Sequence, residues 1–523
     1  MESKGPAIME TEPETAAERA VSVSSATKPT EVKGAAPEKA VGPRGVSGAR
    51  LAAVLPFVIL LPLFVALGWA KAERSNSGLM ANGEHVMFDY DQHSYLNMGR
   101  LMREQEFRKV VPRHRMPGYS FLMCWLDFPS DRYEVDPTGK DPRGVSEGYF
   151  ARAKAFNLFL GAVSLIVLYA VCRRFLPVME SHLVTWGFGG LVAVIRAPYV
   201  QPELIFYVLF LIGVVLLWQL LARPRWWMAP AAGVVLAAAY ILKSSVIPLI
   251  AAFLACAALL AVGQLWKALQ RRQGTNGGDG AGHESLSASG WATLGRALIV
   301  PLVFGAILFP YFRNTARMHG SPFWDVHSKH YMWMDGDEQK RFWRDAGISN
   351  AGFVPPEGHE VPSAMPYFRS HSVGEMAARL DQGCKDVVIK VKARYRGAYT
   401  VIKKWCLPAL LVLGIVFWRR AWHSLRTQPV VWLFLAGLFV GYGVLYAWYQ
   451  AIGAGPRLIL ALFLPALFFA TVAIHRLTEG KTLTFRGRTL SLRHAINAVA
   501  LAVISIQSVL LLTGDYWTVE GGR

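Results

Sequence analysis

The chain has 523 residues, 53% of them hydrophobic and only 17% charged, with a mean hydropathy of +0.29. Soluble domains average about 25% charged residues, so a set of two or three water-soluble domains is ruled against. The formal net charge of +19 does not point to nucleic acid. No basic-aromatic RNP-type motif is present, and the cytoplasmic loops of membrane proteins collect Lys and Arg.

In chain order, residues 1–48 are rich in Ala, Pro, Glu, Lys, Ser and Thr. Such a composition cannot bury enough surface to fold, so a disordered cytoplasmic tail is expected. The tail lacks the basic start and apolar core of a signal peptide. Apolar runs then recur at about 51–70, 154–172, 181–198, 202–221, 227–242, 245–265, 296–312, 405–418, 429–448, 456–474 and 494–513. Most approach the ~20 residues that cross a bilayer. The predicted fold is an all-α polytopic membrane protein with about 11 transmembrane helices. Interfacial helices are expected in its first outer loop, and a small outer domain between spans 7 and 8.

Basic clusters set the orientation. Arg173–Arg174, Arg223 with Arg225, Lys267 with Arg271 and Arg272, Arg419 with Arg420 and Arg426, and Arg476 through Arg493 fall in alternate loops. Counted from a cytoplasmic N-terminus, all of them land inside, which places the C-terminus outside. Two large hydrophilic loops, 71–153 and 313–404, then lie on the outer face. A transmembrane module over 49–312 precedes the second loop, and C-terminal helices over 405–523 follow it. The Gly/Ser-rich stretch 273–290 reads as a flexible linker. Its glycines lack the GK[ST] of a phosphate-cradling loop, and no Rossmann glycine pattern follows a predicted strand. The sequence therefore offers no soluble nucleotide site. Of the five cysteines, Cys172, Cys256 and Cys406 read as small core residues, while Cys124 and Cys384 lie in the two outer loops, as a disulfide or as two free thiols.

The chemistry-bearing residues begin in MFDYDQHSYLNMGRLMRE at 87–104. Asp89 and Asp91 precede a helical pattern whose apolar positions are Tyr95, Met98, Leu101 and Met102, a helix expected to lie along the membrane surface. Asp91 reads as a helix N-cap, or as a general base or metal-binding carboxylate at the membrane edge. Next come Arg113, His114 and Arg115, a solvated basic face or a phosphate-steering triplet, and then the turn residues Pro117 and Gly118. Arg196, Lys243 and Arg457 fall in short outer loops or span ends, where positive charge is disfavoured. Basic residues there mark functional sites by default unless they snorkel to the interface. Glu203 either hydrogen-bonds a ligand hydroxyl or pairs with Arg196. His327, His330, Tyr331, Trp333 and Trp343 make the second loop aromatic, as a contact surface or as its own core.

These residues carry a resemblance. Asp91, Gln92, Tyr95, Gly99 and Arg100, followed by Arg115, Pro117 and Tyr119, are similar to the first outer loop of the GT-C membrane glycosyltransferases. The group resembled includes the dolichyl-phosphate-mannose protein mannosyltransferases and the bacterial aminoarabinose and related polyprenyl-phosphate-sugar transferases. Further down, RAKAFNLFLGAVSLIVLYAVCRRF, QPELIF, ILKSS, FPYFRNTARMHGSPF and GPRLILALFLPALFF resemble later segments of that family in the same order. The resemblance covers roughly residues 50–475.

It implies Asp91 as catalytic base, with Asp89 beside it. It also implies Lys243, Arg457, Arg115 and Arg313 against a donor phosphate, and Glu203, Tyr95, Tyr119 and Arg100 against substrate. The family often has Asp-Glu where this chain has Asp91-Gln92. A second carboxylate would then come from Asp89 or elsewhere, or is not needed, and a divalent metal cation stays open. The implied reaction moves a sugar from a polyprenyl-phosphate donor to a lipid, glycan or protein acceptor on the outer face. The implied setting is cell-envelope glycosylation, and the compact chain and unspecialised tail point to a bacterial plasma membrane. The competing readings are a lipid or glycan flippase, which would place its charges nearer the midplane in repeated halves, and a non-catalytic scaffold.

Overall fold

The computed structural model describes residues 45–76, 90–105, 115–128, 146–274, 281–350, 352–452, 455, 457–485 and 488–514. Residues 51–523 form one body and 1–50 a separate unit. The expected disordered tail lies outside the described residues except for 45–50, which are helical.

The first half contains α1 (Gly45–Asn76), α2 (Tyr90–Glu104), α3 (Pro117–Met123), α4 (Glu147–Cys172), α5 (Val178–Phe188), α6 (Val194–Arg196), α7 (Glu203–Ala222), α8 (Met228–Leu242), α9 (Ile247–Gly274) and α10 (Ala281–His319). Four helices follow between the two membrane segments: α11 (Val326–Lys329), α12 (Asp337–Asp345), α13 (Ala364–Ser370) and α14 (Val373–Arg394). The last part holds α15 (Arg396–Thr400), α16 (Leu407–Val416), α17 (Trp418–Thr427), α18 (Pro429–Trp448), α19 (Phe463–Thr478) and α20 (Leu492–Thr513). Between α19 and α20 an antiparallel hairpin pairs β1 (Thr482–Phe485) with β2 (Arg488–Ser491), the one sheet among the described residues.

Among the described residues ten segments are long and apolar enough to cross a membrane, so the chain is an all-α multi-pass membrane protein. The exception among the expected spans is 227–242, which forms the shorter α8, 15 residues long. At 1.5 Å per residue that is about 22 Å, less than the ~30 Å hydrocarbon layer. Even so, α8 leaves the Arg225 end of α7 and delivers Lys243 to within 3.1 Å of Glu203 at the other end of α7.

Burial sorts the bundle into centre and rim. α7 has apolar residues all round and 72% of its apolar window buried, whereas α1 has 11% and α20 17%. A helix hydrophobic on every face belongs either inside protein or in lipid; α7 takes the first place, α1 and α20 the second. The stretch read as a linker is corrected in part, because α10 already begins at Ala281; residues 275–280 lie outside the described set.

At the end opposite Glu203 the basic loop residues meet. Arg420 donates to the carbonyls of Leu477 and Glu479, Arg493 lies 3.3 Å from Glu180, and the Arg476 guanidinium lies over Trp218.

The segment between α10 and α15 has its own small core of Trp324, Val326, Tyr331, Met334, Trp343 and Ile348, closed by Ile452. Tyr331 and Trp343 are thus core residues. Trp333 packs against Tyr367, Phe368 and Trp448, with the Arg379 guanidinium over the Tyr367 and Trp448 rings. His330 hydrogen-bonds the Pro362 carbonyl, and burial pushes its imidazole below the usual histidine range. α14 opens on a capping box between Ser372 and Glu375 and lies along α18. Cys124 and Cys384 are both free thiols.

Candidate functional site

Among the described residues between α1 and α4 lie the two short helices α2 and α3, but the buried stripe of α2 is rotated from the expected one. Tyr95, Leu96 and Met102 are buried and Leu101 is 41% exposed. Gly99 sets the approach of α2 to α3, since a Cβ there would stand 2.8 Å from the Ser120 carbonyl and 2.9 Å from the Tyr149 hydroxyl. Gly118 does the same for α3 against the end of α8, where a Cβ would meet the Ile241 carbonyl at 2.9 Å. Gly99→Ala should therefore destabilise the protein by about 1–3 kcal/mol, the usual cost of overpacking. A thermal-unfolding midpoint unchanged from wild type would contradict that packing.

The loop is fastened to the bundle by buried polar bonds. Gln92 is buried and its Oε1 accepts from the Val200 amide at 2.7 Å. The glutamine that departs from the resembled Asp-Glu pair thus pins the first turn of α2 to the Ala197–Pro202 turn, next to Glu203. Tyr119 donates to Asn157 Oδ1 at 2.8 Å, and Asn157 Nδ2 donates to the carbonyls of Ala197 and Tyr199. A buried amide so paired orders three chain segments at once. Asp89 lies outside the described residues. Asp91 is the second residue of α2, and its side chain lies outside the described set.

At the centre of the site is Glu203, the first residue of α7, 2% exposed. Its Oε1 accepts from Lys243 Nζ at 3.1 Å, and Arg457 Nε lies at 3.8 Å. Arg196 is a third cation bearing on the same carboxylate. It is buried at the end of α6, where the π-helical turn Gly189–Ala193 re-aims the helix, and its Nη2 donates to the Tyr395 hydroxyl. Arg457 is held from behind, its carbonyl accepting from Tyr207 Oη at 2.6 Å. Among the described residues Glu203 Oε2 has no hydrogen-bond partner. Two cations thus face one carboxylate, with Arg196 adding positive charge in the same region, and buried charge is stable only when paired.

The remaining predicted residues sort themselves around this centre. Tyr95 and Tyr119 pack edge to face at 5.3 Å, and the Arg115 guanidinium lies over the Tyr95 ring at 5.9 Å. Burial first, and the Glu203 carboxylate second, push both phenols above the usual tyrosine range, while Arg457 opposes this at Tyr95. Both therefore stay neutral and serve as packing and hydrogen-bonding groups, not as bases. Arg100 pairs with Glu104 at 2.9 Å on its own helix. Arg313 is not brought to Glu203; it sits exposed on the side of α10.

Several residues of the region were not singled out in advance. Asp325 caps α11 and accepts from Ser244 Oγ at 2.9 Å, tying the segment between α10 and α15 to the residue after Lys243. Lys154 is buried, donating to the Ala72 carbonyl at 3.0 Å, and the Lys71 ammonium lies 5.7 Å from the Tyr199 ring centre. A lysine inside an apolar run, as Lys154 is in RAKAFNLF, was the available signal; Asp325, Asn157 and Tyr395 had none. Among the described residues no group of three or more His, Cys, Asp or Glu is placed to hold a metal ion.

Fold and site together define a multi-pass helical membrane protein with a buried carboxylate paired to basic side chains at one end of the bundle. No protein-family model matches the chain, and no curated protein matches it.

Proposed function

We propose that the protein is a membrane glycosyltransferase that moves a sugar from a polyprenyl-phosphate donor to an acceptor at the outer face. The observation that carries this is the cluster of Lys243, Arg457 and Arg196 around Glu203. It lies directly beside the turn that anchors the helix bearing Asp91. In this reading an acceptor hydroxyl attacks the anomeric carbon and Asp91 takes its proton. The bond from that carbon to the phosphate oxygen breaks, and its electron pair leaves with the phosphate. Lys243, Arg457 and Arg196 meet the charge that develops on it, the kind of preorganised stabilisation that contributes most in a water-poor site. Glu203 holds the cations in place and offers Oε2 to a sugar hydroxyl. The order of motifs resembling the GT-C transferases supports the same reading, as does the absence of any sequence pattern for a nucleotide.

Two experiments test it. Protein in liposomes should release polyprenyl phosphate from a labelled polyprenyl-phosphate sugar and should be inert with a nucleotide sugar alone; turnover of the nucleotide sugar without lipid carrier would refute the class. The orientation, with the Glu203 end outward, is tested by single cysteines in a background lacking the native ones. A cysteine at Val354, 79% exposed, should react with an impermeant reagent from outside, and one at the exposed Thr489 only after permeabilisation. Labelling of both from the same side would contradict the proposed topology.

A further inference from the structure

Arg313 falls outside the Glu203 cluster, yet its surroundings are not those of an ordinary surface arginine. It stands with Arg317, one turn further along α10, at the head of an open groove of about 1010 Å³. The walls are apolar, from Pro301, Gly305 and Phe309 to Phe312 and Phe323, and none of the lining residues is acidic. Both arginines are exposed, and only 28% of the apolar window of α10 is buried, so the groove opens to the lipid side of the bundle. Pro301 and Pro310 interrupt the helix along this stretch, and proline is the commonest cause of a helix kink.

We propose that this groove is a binding site for an anionic glycerophospholipid of the leaflet at that end, its phosphate held by Arg313 and Arg317 and its acyl chains lying against Pro301, Gly305 and Phe309. Wall and charge both argue for that occupant. An apolar wall facing hydrocarbon excludes a soluble ligand. Two guanidinium groups match a phosphate by charge and by geometry, and with no carboxylate nearby they disfavour a headgroup that carries its own ammonium. The site does not depend on the transferase reading, because none of its residues touches Glu203, Lys243 or Arg457 among the described contacts.

The test uses the full chain, purified in detergent and challenged with phosphatidylglycerol or phosphatidylcholine of matched acyl chains. Native mass spectrometry reads the lipid that is retained. Phosphatidylglycerol should stay bound through washing that removes phosphatidylcholine. Arg313→Gln with Arg317→Gln should weaken its retention about tenfold, the loss expected for two charge-assisted contacts at an exposed site. Gly305→Trp should do the same by filling the groove, since a Cβ at Gly305 points into open space with nothing within 4 Å. Equal retention of the two lipids by wild type would overturn the proposal, and that comparison stands whether or not a variant folds. Unchanged phosphatidylglycerol binding in both folded variants would overturn it as well. Displacement by equimolar polyprenyl phosphate would overturn the assignment of the occupant.

Discussion

Asp91→Asn is expected to lower sugar transfer by about 10²–10⁴, the range typical of losing a general base, while expression and thermal stability stay close to wild type. Asparagine keeps the shape of the side chain. Asp91 is the second residue of α2 and not its N-cap, against the sequence expectation, so a purely structural aspartate there would lose only about 0.3–1 kcal/mol of helix-dipole interaction and no activity. The turn that carries Asp91 is fixed independently, through the bond from the Val200 amide to Gln92, so the substitution is not expected to release the helix. Gln92→Leu supplies the contrast. It should loosen the anchor, costing stability as well as activity, because the Val200 amide would be left buried without an acceptor. Wild-type turnover in Asp91→Asn would return Asp91 to a structural role and make Asp89 the next candidate.

Lys243→Met carries the second large effect, and it separates binding chemistry from support of the fold. Removing the ammonium takes the nearest partner from a carboxylate that is 2% exposed. Breaking one side of a buried pair costs about 3–5 kcal/mol, and the lower end applies here because Arg457 remains 3.8 Å away. Activity should fall further than that loss of stability explains, with both donor affinity and rate reduced. Adding Glu203→Gln to Lys243→Met removes the stranded carboxylate and should recover most of the thermal stability, since replacing both members of a buried pair is often neutral. It should not recover transfer, because a cation facing the departing phosphate is still missing. If the double variant regained wild-type turnover, the pair would be only a structural salt bridge and the phosphate role of Lys243 would fall. Lys243→Arg should rescue in part, limited by the different geometry of a guanidinium.

The sequence by itself determined the class of this protein and most of its long apolar helices, ten of which among the described residues are long enough to cross a membrane, while 227–242 forms a shorter helix. Apolar runs of this length have no other stable solvent, and in lipid a backbone must satisfy its own hydrogen bonds as helix. The two short helices between α1 and α4 were legible through periodicity and the Pro117-Gly118 turn. Lys243, Glu203 and Arg457 were legible as charges out of place in an apolar chain.

Only the tertiary structure decided which of those charges meet. Glu203 lies 40 residues from Lys243 and far from Arg457 along the chain, and side-chain contact across helices depends on rotation and register that no single helix encodes. Tyr119 and Gln92 read as ligand contacts or departures, yet they spend their hydrogen bonds on Asn157 and the Val200 amide. Arg313 read as a donor contact and is turned outward, because Phe312 and Thr315 on the same helix take the inward face. Residue type and spacing announce that a buried charge needs a partner; which partner it finds is settled by how α7, α8 and the segment before α19 pack together.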